Sequence, residues 1–205
     1  VQADAELISV AATFLKSVGL KSDQVKILVN DRRLMDRKLT EIGINQEAKA
    51  EMLRMIDRID KQPPQVWEQN VAALGFGSEQ ISKVQQLLEN RELWRESDEL
   101  TRLFDYLELG GLKEYVRYEP KIIRGLDYYT GVVFEAHDVK NEFRAILGGG
   151  HYANLVSDVG GQPLPGVGFA MGDVVVMLVL EAFGLLPADL THRDTVFMTV
   201  FSEEL

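Results

Sequence analysis

Arg124-Gly125-Leu126-Asp127-Tyr128-Tyr129-Thr130-Gly131 decides how the rest of the 205-residue chain is read. An arginine beside a glycine, between two β-type runs, can aim its rigid fork at a carboxylate or a phosphate. Two successive tyrosines on a strand face opposite ways, so one can enter a pocket while the other packs beneath it. A plain β-turn with an exposed arginine and two core tyrosines would use the same residues, and the block alone leaves both readings open.

The sequence around this block has β character. Val116 to Ile123 reads as a strand, with Pro120 demoting part of it to an edge or bulge. Asp127 to Val139 is aromatic and β-branched. Phe143 to Leu147 follows the polar turn Lys140-Asn141-Glu142, which predicts an antiparallel hairpin. Gly148-Gly149-Gly150-His151-Tyr152 comes next. Three glycines let backbone come close to a flat ligand or an anion, or else make a tight turn. Gly166-Val167-Gly168-Phe169-Ala170-Met171-Gly172-Asp173 reads as a glycine-punctuated strand leading into a helix that Asp173 can cap. That helix, Val174 to Phe183, is apolar on nearly every side except Glu181, which predicts burial. Its N-terminus can hold an anion, with Asp173 competing. The absence of Gly-Lys-Ser/Thr excludes a phosphate loop. Thr195 to Phe201 reads as a last strand.

Upstream, Leu7, Ile8, Ala11, Phe14, Leu15 and Val18 fall at helical spacing before Gly19. Val25 to Val29 predicts a strand. Asn30 or Asp31 can cap the next helix, which ends at Gly43 and opens with solvated Arg32 and Arg33. Residues 45–110 differ from both flanks. Four apolar stripes follow one another, broken by Pro63-Pro64, with Ser78 and either Ser97 or Asp98 as caps and no strand signal between. Trp67 and Trp94 read as core side chains, and Glu92 to Glu99 as a solvated face. This is a helical module with glycines, Gly43 and Gly110-Gly111, at its joints.

Composition sets limits. Lys and Arg total 22 and Asp and Glu total 32, a net charge of −10, which argues against a surface that coats nucleic acid. With no cysteine, disulfides, thiolate zinc sites and cysteine nucleophiles are excluded. His137, His151 and His192 have no helical i,i+4 partners, so no metal site is expected. The longest apolar run, Val174 to Leu180, is too short for a membrane helix, and no signal peptide is visible. Lack of an initiating Met predicts a piece of something longer, and a cytoplasmic location is expected.

The three glycine- and tyrosine-rich blocks, in this order, resemble the class II histidyl-tRNA synthetases. Arg124 to Gly131 matches that family's histidine signature without a departure. Gly148-Gly-Gly-His-Tyr-Ala-Asn-Leu-Val156 resembles the second signature, and Gly166 to Gly172 the third class II motif. Asp4-Ala-Glu6 and Val29 to Arg33 fit the stretch before the family's insertion. Departures are His151 where Arg is usual, Ala153 where Asp is usual, and Asp173-Val174-Val175 where an acid–arginine pair meets the ATP γ-phosphate. Motifs one and two find no match.

The resemblance implies ATP-dependent activation of histidine and transfer to tRNA(His) by a full-length homodimer, with Mg²⁺ on the ATP phosphates and no metal held by protein. Arg124 is then the charge-neutralising catalytic arginine and also touches ATP, as Gly168 and Gly172 would. Tyr128, Tyr129, Tyr152, Gly148, Gly149 and Gly150 would bind histidine or its adenylate. The fold class is α+β: a partial antiparallel class II sheet with flanking helices and an all-helical insertion. Residues 1–44 and 111–190 are assigned to the catalytic core, 45–110 to the insertion, and 191–205 to the start of an anticodon-binding domain. This chain alone should be inactive. The alternative is a non-catalytic, histidine-sensing regulatory subunit of ATP phosphoribosyltransferase; the altered third motif leans that way, and the intact Arg124 block leans toward the enzyme.

Overall fold

The computed structural model describes residues 1–125 and 128–187. Helix α1, Gln2–Ser17, buries Ile8, Ala11, Ala12 and Leu15, the stripe its spacing dictates. It ends where Gly19 takes a φ of +89°, a left-handed stop that glycine makes without strain. Strand β1, Val25–Asp31, runs directly into helix α2, Arg32–Glu41. Asp31 caps that helix, its carboxylate accepting the Arg33 N–H at 3.0 Å.

Asp31 is 1% exposed. Burial raises its pKa above the ordinary 3.8, outweighing the opposing pull of Arg33. The sign follows: the folded state holds this proton more tightly than the unfolded chain, so stability is lost as pH rises from about 4 through the folded-state pKa. Asparagine caps helices as well as aspartate does and carries no charge. Asp31→Asn should therefore gain thermal stability relative to the unchanged protein between pH 4 and pH 7, and melting curves at the two values check this.

Helices α3 (Gln46–Asp57), α4 (Pro64–Ala73), α5 (Ser78–Glu89) and α6 (Asp98–Leu109) follow. Asn45 caps α3 and Ser97 caps α6. At α5 the cap is Gly77, not Ser78; the Gln80 side chain accepts the Gly77 N–H at 3.1 Å. Trp67 is fully buried and donates its Nε1–H to the Met55 carbonyl at 2.7 Å. Trp94 lies edge-on to Phe104, with the Arg95 guanidinium 4.5 Å from its ring centre.

The Glu92–Glu99 stretch is only partly a solvated face. Leu93 and Ser97 are buried, and Glu96 pairs with Lys38 at 2.7 Å. Helix α6 packs on α1, where Gln2 donates to the Tyr106 hydroxyl. Lys49–Asp36, Lys121–Asp60 and Arg91–Glu119 ion pairs tie the helices to the flanking segments. One apolar core runs from α1 through the sheet into α3–α6.

The remaining strands are β2 (Val116–Tyr118), β3 (Val132–Asp138), β4 (Leu147–Tyr152) and β5 (Gly166–Met171), in the order β2-β1-β3-β4-β5. Three neighbouring pairs are antiparallel, but β2 lies parallel to β1. The strand read over Val116 to Ile123 thus shrinks to three residues at the edge, as befits a run that meets Pro120. Phe143 to Leu147 is mostly turn. The Asp138 carboxylate accepts the Glu142 and Phe143 N–H groups at 2.9 and 3.1 Å and holds that turn closed.

Gly148–Gly150 is neither loop nor turn: it is the middle of β4, paired on both sides. Past β5, Gly172 caps helix α8, Asp173–Ala182, and Asp173 is its first residue. The helix buries Val176, Val179 and Leu180 but exposes Val174, Met177 and Leu178 among the described residues, so the expectation of a wholly buried helix does not hold. The short helix α7, Leu155–Asp158, links β4 to β5. The expected strand at Thr195 to Phe201 lies outside the described residues. Among them, no helix is long and apolar enough to cross a membrane.

Candidate functional site

Strand alternation gives the sheet two unlike faces. On one, Ile27, Val29, Phe134, Ala136 and Leu147 are buried. Gly149 faces this side too: a Cβ there would lie 2.5 Å from Phe169 Cβ and 2.8 Å from Phe134 Cζ. His151 also faces it, its Nδ1 3.1 Å from an Asp4 oxygen of α1. Gly149 is therefore turned away from the pocket that the sequence assigned it to, and His151 serves the join between α1 and β4.

The opposite face carries Lys26, Leu28, Glu135 and His137, and then a floor of glycine. Gly148 pairs with Ala170, Gly150 with Gly168, and Tyr152 with Gly166. What lies on the floor explains the missing side chains. A Cβ at Gly148 would sit 1.6 Å from the Arg124 Nη1, one at Gly150 would be 2.8 Å from the Tyr129 ring, and one at Gly166 would be 2.4 Å from the Tyr152 ring. At Gly168 it would meet the Tyr152 hydroxyl at 2.8 Å. Three large side chains thus lie flat against bare backbone.

Arg124 reaches its place from a left-handed backbone, φ +54°, a conformation that non-glycine residues adopt at some cost. Its Nη1 donates to Glu135 Oε1 at 2.9 Å, and its guanidinium carbon lies 5.6 Å from the Tyr129 ring centre. Its Nε–H is buried without an acceptor among the described residues. The two tyrosines do not face opposite ways, because Tyr128 and Tyr129 precede β3 in a loop. Their rings lie 4.6 Å apart and tilted, with Tyr152 edge-on to Tyr128 at 6.2 Å. Burial, and then the Tyr128 hydroxyl, push the Tyr129 pKa up to about 12, so at neutral pH its hydroxyl keeps its proton and can donate a hydrogen bond. Thr130 closes this loop onto β4, its N–H donating to the His151 carbonyl and its hydroxyl accepting the Ala153 N–H.

Arg124, Tyr128, Tyr129, Tyr152, Gly148, Gly150 and Gly168 therefore converge on one face. Gly172 sits apart at the α8 cap, with Val175 the nearest neighbour of a hypothetical Cβ. Two residues that the sequence reading missed belong to the group: Glu135, and His137, whose Nε2 is 2.9 Å from Glu135 Oε2. Their signal was polar side chains at i and i+2 within an otherwise apolar strand. From them a cleft of about 380 Å³ opens toward Lys26, Arg117, Lys121 and the Asp57–Lys61 segment.

Such a face suits a flat, anionic ligand. Aromatic rings seated on the glycine strands can stack against a planar group, and a half-buried guanidinium can meet a carboxylate or phosphate. Among the described residues no group of three His, Cys, Asp or Glu side chains converges.

Known proteins resemble the chain along most of its length. The histidyl-tRNA synthetase family model matches residues 1–173. The chain is similar to the chloroplastic/mitochondrial histidine–tRNA ligase of Arabidopsis thaliana, 34% identical over 197 residues, covering 91% of this chain and 40% of that one. With the enzyme of Thermoplasma volcanium it shares 35% identity, covering 90% and 45%. The chain spans less than half the length of these curated relatives. Among solved structures, the histidyl-tRNA synthetase of Nostoc sp. PCC 7120 has the same fold, with a TM-score of 0.78 at 21% identity over 90% of this chain and 48% of that one. A Bacillus halodurans protein described as an ATP phosphoribosyltransferase regulatory subunit/histidyl-tRNA synthetase gives 0.69 at 24% identity, covering 88% and 49%.

Proposed function

Because the chain belongs to the histidyl-tRNA synthetase family, we propose that it supplies part of a histidine–tRNA ligase active site. In the full-length protein a histidine carboxylate oxygen attacks the α-phosphorus of ATP and pyrophosphate leaves. A terminal hydroxyl of tRNA(His) then takes the histidyl group from the adenylate and AMP departs. Neither step needs a protein nucleophile; both need alignment and neutralisation of charge. Arg124 neutralises the charge that grows on the α-phosphate oxygens. Tyr128, Tyr129 and Tyr152 bound the histidine and adenylate, and Gly148, Gly150 and Gly168 leave the room in which Arg124, Tyr129 and Tyr152 lie against the sheet and present themselves to the ligand. Mg²⁺ arrives on the nucleotide phosphates. The observation that carries this reading is the convergence of Arg124 and three tyrosines on a glycine floor.

The chain is then one part of a longer enzyme, and the family likeness carries over a homodimer, a cytoplasmic location and residues 45–110 as a helical insertion over the site that touches the tRNA acceptor arm. Eight basic residues there, including Lys49, Arg54 and Arg58, are offset by many acids, so that contact is modest and salt-sensitive. In the full-length protein, replacing residues 46–90 with a Gly/Ser bridge, which leaves α6 on α1, should depress aminoacylation well beyond pyrophosphate exchange. Equal losses in the two assays would place the insertion in the small-substrate site.

The decisive experiment is histidine-dependent ATP–pyrophosphate exchange. The full-length protein should catalyse it, and the 205-residue chain alone should not. A second reading rests on Asp173-Val174-Val175, which puts no arginine after Gly172: a histidine-sensing regulatory subunit of ATP phosphoribosyltransferase. Histidine binding by the full-length protein without any exchange would select it.

A further inference from the structure

Arg124 does not hold its position alone. Its guanidinium meets Gly148 below, the Tyr129 ring at one side and the Glu135 carboxylate at its Nη1 end. Glu135 is held in turn. Its other oxygen is 2.9 Å from the Nε2 of His137, two residues along the same strand and on the same face. Register places Glu135 directly opposite Gly148 on β4, so the carboxylate and the glycine address the same guanidinium from adjacent strands.

We propose that Glu135 is the positioning residue of Arg124: with its carboxylate fixed by His137, it anchors the Nη1 end of the fork and leaves the Nε–H to the reacting carboxylate or phosphate. The inference rests on the function proposed above. Both groups are about a fifth exposed, so the pair is half-desolvated rather than a surface ion pair. An Arg on a left-handed loop residue has several rotatable bonds and needs an anchor to point reproducibly. The buried, unpartnered Nε–H is the donor that an incoming oxyanion would satisfy. Glu135 touches no substrate in this scheme; it acts only through Arg124.

Two consequences separate positioning from a merely structural role. Misplacing a group that acts in the transition state costs rate more than affinity. In the full-length protein, Glu135→Gln, which keeps the shape and removes the charge, should lower kcat for pyrophosphate exchange by about 10- to 100-fold. The KM for histidine should stay within about 3-fold. Glu135→Asp, too short to reach Nη1 without a shift, should fall between Gln and the unchanged protein.

The second consequence is non-additivity. On an Arg124→Ala background, Glu135→Gln should change the rate less than about 2-fold. A full additional loss there would overturn the proposal, as would wild-type kcat in the single variant. A readout free of catalysis runs in parallel: ¹⁵N-arginine NMR should show slow rotation of the Arg124 Nη groups, released in Glu135→Gln. If the unchanged full-length protein showed no exchange, the ligase reading would fail. Unrestricted rotation of Arg124 in that protein would sink the anchor itself.

Discussion

Arg124→Ala in the full-length protein is expected to lower kcat for histidine-dependent pyrophosphate exchange by about 10²–10³, with a much smaller change in histidine affinity. On the ligase reading the group lost is a charge matched to the transition state, so the deficit should appear in kcat more than in KM. Folding should be affected less than the rate: the pair with Glu135, about a fifth exposed, is lost, but His137 stays beside that carboxylate and the left-handed residue 124 keeps its Cβ. A rate within a few-fold of the unchanged protein would remove Arg124 from the mechanism and favour the regulatory reading.

Neighbouring glycines should respond in opposite ways. At Gly149 an added methyl group meets the Gly168 carbonyl oxygen at 2.4 Å and Phe169 Cβ at 2.5 Å. Those atoms belong to a paired strand and cannot move aside cheaply. Gly149→Ala should therefore cost about 3 kcal/mol, at the upper end of overpacking, and lower Tm by roughly 6–12 °C for a chain of this size. At Gly148 the obstacle is the far end of the Arg124 side chain, which can swing away. Gly148→Ala should melt close to the unchanged protein yet lose rate on the scale of Arg124→Ala. Melting curves and exchange assays on both variants test the pair. If Gly148→Ala proved active, Arg124 would not need this floor.

The helices were legible because their signals are local. Apolar spacing placed α1 and α3–α6, and Asp31 and Ser97 cap the helices that the sequence assigns to them, while Gly77 takes the place expected of Ser78. The site was legible only as a set of residues. Gly148–Gly150 reads as a break because glycine is disfavoured in strands. Its place inside β4 is decided by non-local pairing with β3 and β5, and by Arg124 and Tyr129, which occupy the space of the absent side chains. The same cause separates Gly149 from its neighbours: which glycine looks into the site depends on register. The tyrosine pair misled because opposite facing holds for strands, and residues 128 and 129 precede one. Helix α8 looked uniformly apolar and so gave no hint of which side meets the core. Glu135 lies just past the recognisable block, and only the folded sheet brings its carboxylate to Arg124.

The glycine floor has a dynamic consequence. Gly148, Gly150, Gly166 and Gly168 occupy strand positions on one face, and each glycine in a strand interior gives up about 0.5–1 kcal/mol relative to alanine. Four together relinquish about 2–4 kcal/mol within a total stability typically of 5–15, all at one end of one sheet. That end should be the first part of the sheet to open. Amide hydrogen exchange in β4 and β5 should run ahead of β1 and β3, and on the ligase reading histidyl-adenylate bound to the full-length protein should slow it most there. Flatness at this site is thus inseparable from softness, and selection for rigidity would have to act on the α1 and α6 side of the molecule instead.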